Sequence, residues 1–442
     1  MTTTPLRVTV IGTGYLGLTH AVCMADLGHD VLAIDVDTEK IARAARGEAP
    51  FYEPGLEPLL RKNLEAGRLR FTSDWAEIGG FGQVHFLCVG TPQVKGGHAA
   101  DLCYVYGAID SLAPHLTAEC LVVGKSTVPV GTARQLTAYL RSAAPAGDLV
   151  DLAWNPEFLR EGYAVQDSLT PDRLVFGVTS DGADALLRRV YATPLGSGIP
   201  GLTMDLETAE LVKVAANSFL ATKISFINVM AEMCEAAGAD VLRLADAIGL
   251  DDRIGRKFLS PGLGFGGGCL PKDIRAFRSV AADKGVESLV SLLTVVDTIN
   301  LGRRNRVTDM AREAVGGDPA GKRIAALGIA FKPNSDDLRD SPALDIISRL
   351  AAEDAIVSVH DPVALANAAR RRPDLRYVDS VAEAARDADL VVHLTEWADY
   401  RAIDPAALAE VVAAPVLIDA RCALDADKWR AAGWTVRVLG RP

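Results

Sequence analysis

Short apolar runs and amphipathic stretches alternate through the first 177 residues. Val8–Ile11, Val31–Ile34, Val84–Val89 and Leu121–Val123 are apolar almost throughout, as strands buried on both faces are. Between them, Tyr15–Leu27, Thr38–Arg46 and Thr132–Leu140 carry apolar residues at helical spacing. This alternation predicts a parallel sheet with helices on both faces, a doubly wound α/β domain.

The rhythm changes after the Pro/Gly-rich stretch Pro194–Gly201. Asp205–Ala237 contains neither Gly nor Pro, and helical throughout it would run about 50 Å. A helix that long crosses between domains or packs on a partner subunit. Val286–Val315, interrupted only by Gly302, is a second long helical candidate. After Gly316–Lys322 the α/β rhythm returns, with strand candidates at Ile324–Leu327, Ile356–Val359, Leu390–Leu394 and Val416–Ile418. The expected fold is α/β, with two Rossmann-like doubly wound domains joined by a long central helix and a helical dimerisation region. The expected bounds are 1–200, 201–315 and 316–442. One large α/β domain is the alternative.

Composition narrows the function classes. The 442 residues are 49% hydrophobic and 23% charged, the balance of a globular chain. Lys and Arg total 46 against 57 Asp and Glu, a net charge of -11, which argues against a broad nucleic-acid face. Seven scattered Cys, without a C-x-x-C pair or metal-finger spacing, suggest a reducing compartment and no metal site. Met1–Arg7 lacks a signal-peptide core, and no uninterrupted apolar run approaches the roughly 18 residues of a membrane span. A cytoplasmic protein with no membrane partner is therefore expected.

The first strand candidate runs into Gly12-Thr13-Gly14-Tyr15-Leu16-Gly17, which opens a helix. Gly12 suits a tight turn, Gly14 allows close approach of a pyrophosphate, and Gly17 lets helix pack on strand. The opening turn, with Tyr15 and Leu16, would face the cofactor. Asp35 ends the second strand 18 residues past Gly17. A carboxylate there accepts from ribose hydroxyls and repels a 2′-phosphate, so NAD is expected. Lys40 could bond the same ribose or a phosphate, or simply be solvated. Thr91-Pro92 and Ser126-Thr127 each follow a strand, where ligands of open parallel sheets lie.

Three further groups carry candidate chemistry. Glu157 and Glu161 would share a face if their segment were helical, as an acid–base pair or as a solvated acidic face. Lys213 and Asn217, one turn apart in an apolar helix, could both donate to an oxyanion, or could be a snorkelling Lys beside a packed Asn. Cys269 ends a run with five glycines between Gly262 and Gly268, which could bring backbone close to a ligand. Lys272 adds positive charge favouring a thiolate, and Asp273 lies four residues on. The other six Cys read as packing residues. A hydride acceptor and a nucleophilic Cys together could take an alcohol through a thiohemiacetal and a thioester to a carboxylate.

Asn155–Gly162 (NPEFLREG), Glu210–Phe226, Gly264–Asp273 (GFGGGCLPKD) and Ala330–Asp337 resemble the UDP-glucose/GDP-mannose dehydrogenase family nearly end to end. The resemblance implies NAD-dependent four-electron oxidation of UDP-glucose to UDP-glucuronate. A sister activity on a UDP-N-acetylhexosamine or GDP-mannose is the alternative. It implies Cys269 as thioester nucleophile, Lys213 and Asn217 as oxyanion donors, and Asp273 assisting proton transfer. Glu161 with Thr127 would position water, beside the cofactor contacts that include Lys272, and Glu157 would arrange substrate or base. Phe158 and Leu159 would touch the sugar. Lys257, Phe265, Gly266, Lys332 and Arg421 would hold UDP. Arg253 would reach the neighbouring subunit of a homodimer. Val229 and Gly268, where relatives carry Glu and Ser, depart from the pattern and loosen only the choice of sugar.

Overall fold

The computed structural model describes residues 4–441. Two compact units divide at Ala216/Asn217. In the first, eight strands form one sheet: β1 (Arg7–Ile11), β2 (Asp30–Ile34), β3 (Leu69–Thr72), β4 (Val84–Leu87), β5 (Cys120–Gly124), β6 (Val150–Trp154), β7 (Leu174–Gly177) and β8 (Gly201–Met204). Their spatial order is β3-β2-β1-β4-β5-β6-β7-β8. All neighbours are parallel except β6 and β7. The order reverses between β1 and β4, which puts the loops after β1, β4 and β5 along one edge, beside the switch point where such sheets bind ligands. Fully buried Val8, Val10 and Phe86 pack on one face and Ile11, Val122 and Leu152 on the other. Pro194–Gly201 ends a short helix and leads into edge strand β8, which pairs with β7.

The second unit repeats the plan with six parallel strands: β9 (Arg323–Leu327), β10 (Ile356–His360), β11 (Arg376–Tyr377), β12 (Leu390–His393), β13 (Val416–Asp419) and β14 (Thr435–Val438). Their order is β11-β10-β9-β12-β13-β14. Before this sheet come the helices Leu270–Asp283 and Glu287–Ala314. The two-sheet α/β architecture agrees with the sequence expectation.

The central helix runs from Leu206 to Ala237, 32 residues without a break. On length and composition it could cross a bilayer, with an 18-residue window of mean hydropathy 1.3, although no uninterrupted apolar run suggested it. One side of it packs into protein: Ala221 lies with Ile274, Leu293 and Val296, and Ile227, Ala231 and Cys234 lie with Val241, Ala245 and Leu259.

Candidate active site

The glycine turn of the first unit has room for a ligand in one place and none in another. Gly12 takes φ +92°, and a Cβ on Gly17 would stand 1.7 Å from the Gly12 carbonyl oxygen. Gly17 is therefore a packing requirement, and Gly12 a conformational one. A Cβ on Gly14 would meet nothing within 4 Å. Gly14 is also the N-cap of helix Tyr15–Asp26, and no side chain caps it. Open amides beside open space are what a pyrophosphate fits. Asp35 is fixed at the end of β2: Oδ2 accepts from the Thr13 amide at 2.7 Å and Oδ1 from the Asp37 amide at 3.0 Å. The Thr13 hydroxyl also donates to Oδ2, at 3.0 Å, so Oδ1 is the oxygen that keeps a lone pair for a further donor.

Thr91 Oγ1 donates to the Thr127 carbonyl at 2.7 Å, and Ser126 Oγ to the Val89 carbonyl at 2.6 Å, tying together the loops after β4 and β5. Pro92 is exposed and Leu16 half-buried. Lys40 pairs with Asp37 at 3.5 Å and stays half-exposed.

The segment 155–160 is not helical, which corrects the assumption behind the Glu157/Glu161 pair. Pro156 disfavours helix at Asn155, and the chain leaves β6 as an irregular strap. Glu157 instead reaches Lys213: Nζ donates to Oε1 at 2.8 Å, and both side chains are largely buried. Its other oxygen accepts from the Leu159 amide at 2.6 Å. The Phe158 ring lies 5.7 Å from the Lys213 ammonium, so the cation has an apolar neighbour. Glu161 is buried too, at 7% exposure.

In the second unit Cys269 is half-buried at the N-cap of helix Leu270–Asp283. A sulfur at a helix N-terminus favours thiolate. One turn into that helix, Asp273 is 1% exposed. It accepts from Asn217 Nδ2 at 2.7 Å on one oxygen and from Lys272 Nζ at 2.7 Å on the other. Thus Asn217, Asp273 and Lys272 form one hydrogen-bonded chain beside the cysteine turn.

The glycines before Cys269 are also required by the protein itself. Cβ atoms on Gly264, Gly266, Gly267 and Gly268 would stand 2.3 to 2.7 Å from Asn300, Asp340, Phe331 and Arg339. Asn300 also brackets Phe265, accepting from its amide at 2.7 Å and donating to its carbonyl at 3.0 Å. The loop is held on both sides, and this fixes the start of the cysteine helix.

Arg421 follows β13 and spans neighbouring loops, donating to the Leu394 carbonyl at 2.7 Å and the Phe331 carbonyl at 2.9 Å. Lys332, next to Phe331, follows β9 on the same edge, at the switch point of the second sheet. Arg253 and Lys257 are exposed, and Arg253 is held by Asp251. Cys103 is exposed, so it is not a packing residue as expected.

Lys125, Glu53 and Glu210 are among the buried charges that escaped the sequence reading. Lys125 donates to Asn155 Oδ1 at 2.8 Å and to the Tyr191 hydroxyl at 3.3 Å, anchoring the strap's first residue. Burial brings its pKa down to about 8. Glu53 accepts from the Gly162 and Ala164 amides, both at 2.7 Å. Glu210, one turn before Lys213, accepts from the Gly131 and Ala133 amides at 2.6 and 2.7 Å. No local pattern marks such residues, because each partner is distant in sequence.

Burial pushes the Glu210 carboxyl up to about 7, against the two amides, which lower it. A raised folded-state value means that the folded chain binds the proton more tightly. The contribution is full below the unfolded value near 4.5 and is lost as pH rises through 7. Between pH 5 and pH 8 the wild type should therefore lose on the order of 2 kcal/mol relative to Glu210→Gln. Parallel denaturation curves at those two pH values check this, and a constant gap would contradict it.

Comparison with known proteins agrees with this arrangement. Three domain models of the UDP-glucose/GDP-mannose dehydrogenase family match the chain: NAD binding at residues 6–194, central at 207–301 and UDP binding at 325–426. The chain belongs to that family, and its cofactor is NAD. It is 42% identical to UDP-glucose 6-dehydrogenase of Rhizobium meliloti, over 99% of this chain and 100% of that one. To the Rickettsia felis protein of the same name it is 40% identical, over 98% and 96%. A UDP-glucose dehydrogenase structure from Pyrobaculum islandicum superposes with TM-score 0.90 at 35% identity, covering 98% and 99%. A Pyrococcus horikoshii UDP-D-ManNAc dehydrogenase structure gives 0.86 at 26%, covering 99% of each.

Proposed function

We propose that the chain is a UDP-glucose 6-dehydrogenase, converting UDP-glucose, two NAD and water to UDP-glucuronate. The observation that carries this is the buried set Lys213–Glu157 and Asn217–Asp273, the latter beside Cys269 at its helix N-terminus. The 40–42% identity to enzymes of that name favours UDP-glucose over an N-acetylated sugar, whose dehydrogenase stands at 26%. Residues 1–200 would bind NAD, 201–315 would carry the catalytic Lys and Cys and the dimer contact, and 316–442 would bind UDP.

NAD, when bound along Gly12–Gly17, Asp35, Thr91 and Ser126, supplies the hydride acceptor. Everything else falls to the chain. Cys269 adds its sulfur to the aldehyde carbon, giving a thiohemiacetal that is oxidised to a thioester. Lys213 and Asn217, one helical turn apart, donate to the oxygen as its charge builds. Asp273 holds the Asn217 amide in that direction and takes up or returns a proton through water. Glu161, with Thr127, orients and deprotonates the water that cleaves the thioester. Glu157 holds the Lys213 ammonium at 2.8 Å and, with the Phe158–Leu159 backbone, borders the sugar. Lys257, the Phe265–Gly266 backbone, Lys332 and Arg421 hold UDP, and Lys272 would contact the cofactor.

A homodimer fits the surface. Phe219, Phe226 and Met233 recur every seven residues on the central helix, and all three are exposed. A stripe at that spacing lies along one face and suits a second copy of the helix. Arg253, with an 89% exposed side chain, is available to a neighbouring subunit. We place the enzyme in the cytoplasm, a reducing compartment suited to a catalytic thiol.

The test is NADH formed per molecule of limiting UDP-glucose, followed to completion in excess NAD. A ratio near two is expected. A ratio of one would overturn the thioester, and no NADH would move the substrate to a UDP-N-acetylhexosamine or GDP-mannose.

A further inference from the structure

A buried carboxylate outside the reacting set connects two parts of the first unit. Glu53 is 6% exposed and lies between two helices, in Phe51-Tyr52-Glu53-Pro54. Its oxygens have three donors. Oε1 accepts from the Ala164 amide and Oε2 from the Gly162 amide, both at 2.7 Å, and the Tyr15 hydroxyl donates to Oε2 as well. The Gly162 amide also reaches the Tyr15 oxygen at 3.1 Å. Phe51 packs on the Tyr15 ring, with centroids 4.8 Å apart, so the phenol has little freedom to leave. Tyr15 is the first residue of the helix that opens the cofactor turn. Gly162 directly follows Glu161.

We propose that Glu53 is a positioning residue that locks the segment carrying Glu161 to the cofactor turn and so fixes Glu161 for thioester hydrolysis. Burial, Glu53 and Glu161 together push the Tyr15 phenol far above its ordinary range, so it stays a donor in this lock. The proposal rests on the reading that Glu161 activates water. In that step the water oxygen bonds to the acyl carbon and the carbon–sulfur bond breaks. One water proton goes to Glu161 and the other to the departing sulfur, leaving product carboxylate and Cys269 thiol. A shift of Glu161 slows this step and leaves the two earlier oxidations alone, because they do not use that water.

The experiment is rapid-quench NADH counting with intact-mass detection of acylated protein, on wild type and Glu53→Gln. A Gln oxygen can accept from one of the two amides, while its NH2 faces the other and leaves it unpaired. The expected result is an unchanged burst of two NADH per site. Steady-state turnover should then fall about tenfold to a hundredfold, with the acyl adduct on Cys269 accumulating. Tyr15→Phe removes only the phenol contact and guards against misfolding of the first variant. It should slow hydrolysis two- to fivefold and raise the KM for NAD. Unchanged turnover in Glu53→Gln, or a burst that slows in step with turnover in both variants, would overturn the proposal. One NADH per UDP-glucose in the wild type would instead remove the thioester reading, and the proposal with it.

Discussion

In a Cys269→Ser enzyme, net oxidation of UDP-glucose is expected to fall by roughly 10³-fold or more, the usual cost of losing a nucleophile, while NAD and UDP-glucose still bind. Cys269 stands at the N-terminus of helix Leu270–Asp283, where amide donors favour an anion. A serine there keeps the position but not the chemistry. Its hydroxyl ionises far less readily than a thiol, so addition to the aldehyde carbon is slow. An ester formed at oxygen is also less electrophilic than a thioester, because oxygen shares its lone pair with the carbonyl better than sulfur does. The variant should therefore stall before the covalent step or as a covalent ester, and mass spectrometry of quenched protein separates the two. Because Asn300 and the 331–340 segment hold the preceding loop, the exchange should leave the melting temperature within a few degrees. Undiminished steady-state turnover would sink the Cys mechanism.

How much of this could be read along the chain depended on the range of the interaction. Strands buried on both faces, such as β1, β4 and β5, stand out as apolar runs, and so does the helix without Gly or Pro. Edge strands do not: β8 is Gly201–Met204 with both middle residues exposed, and nothing in its composition marks a strand. In β6, Asp151 interrupts the apolar run because it caps outward, accepting from Ser180 and Arg141. The candidate residues were found by type and spacing, but their partners were not. Glu157 and Glu161 suggested a helical pair, whereas Glu157 meets Lys213 from 56 residues away. Gly264, Gly266, Gly267 and Gly268 suggested ligand approach, but not that their missing side chains make room for Asn300, Asp340, Phe331 and Arg339. Glu53 and Glu210 look like surface acids until folding brings them to backbone amides. In each case the residue type was legible, and the long-range contact that decides the role was not.

Lys213 separates catalytic from structural loss most sharply. Lys213→Met should lower kcat by about 10²- to 10³-fold, the effect of removing one oxyanion donor. It should also destabilise the fold by about 3–5 kcal/mol, because Glu157 is left as a buried charge without its cation. Those two losses are separable. In the double variant Lys213→Met/Glu157→Gln neither member of the pair is left as an unmatched charge, and the Gln oxygen can still accept from the Leu159 amide that Glu157 now holds at 2.6 Å. Stability should return to within about 1 kcal/mol of wild type, since an apolar replacement of a buried pair is often neutral. Activity should not return, because nothing stands in for the ammonium where charge develops. Thermal melts and kcat measured on both variants decide the matter. If the double variant recovered turnover along with stability, Lys213 would serve only to balance Glu157, and the oxyanion would rest on Asn217 alone.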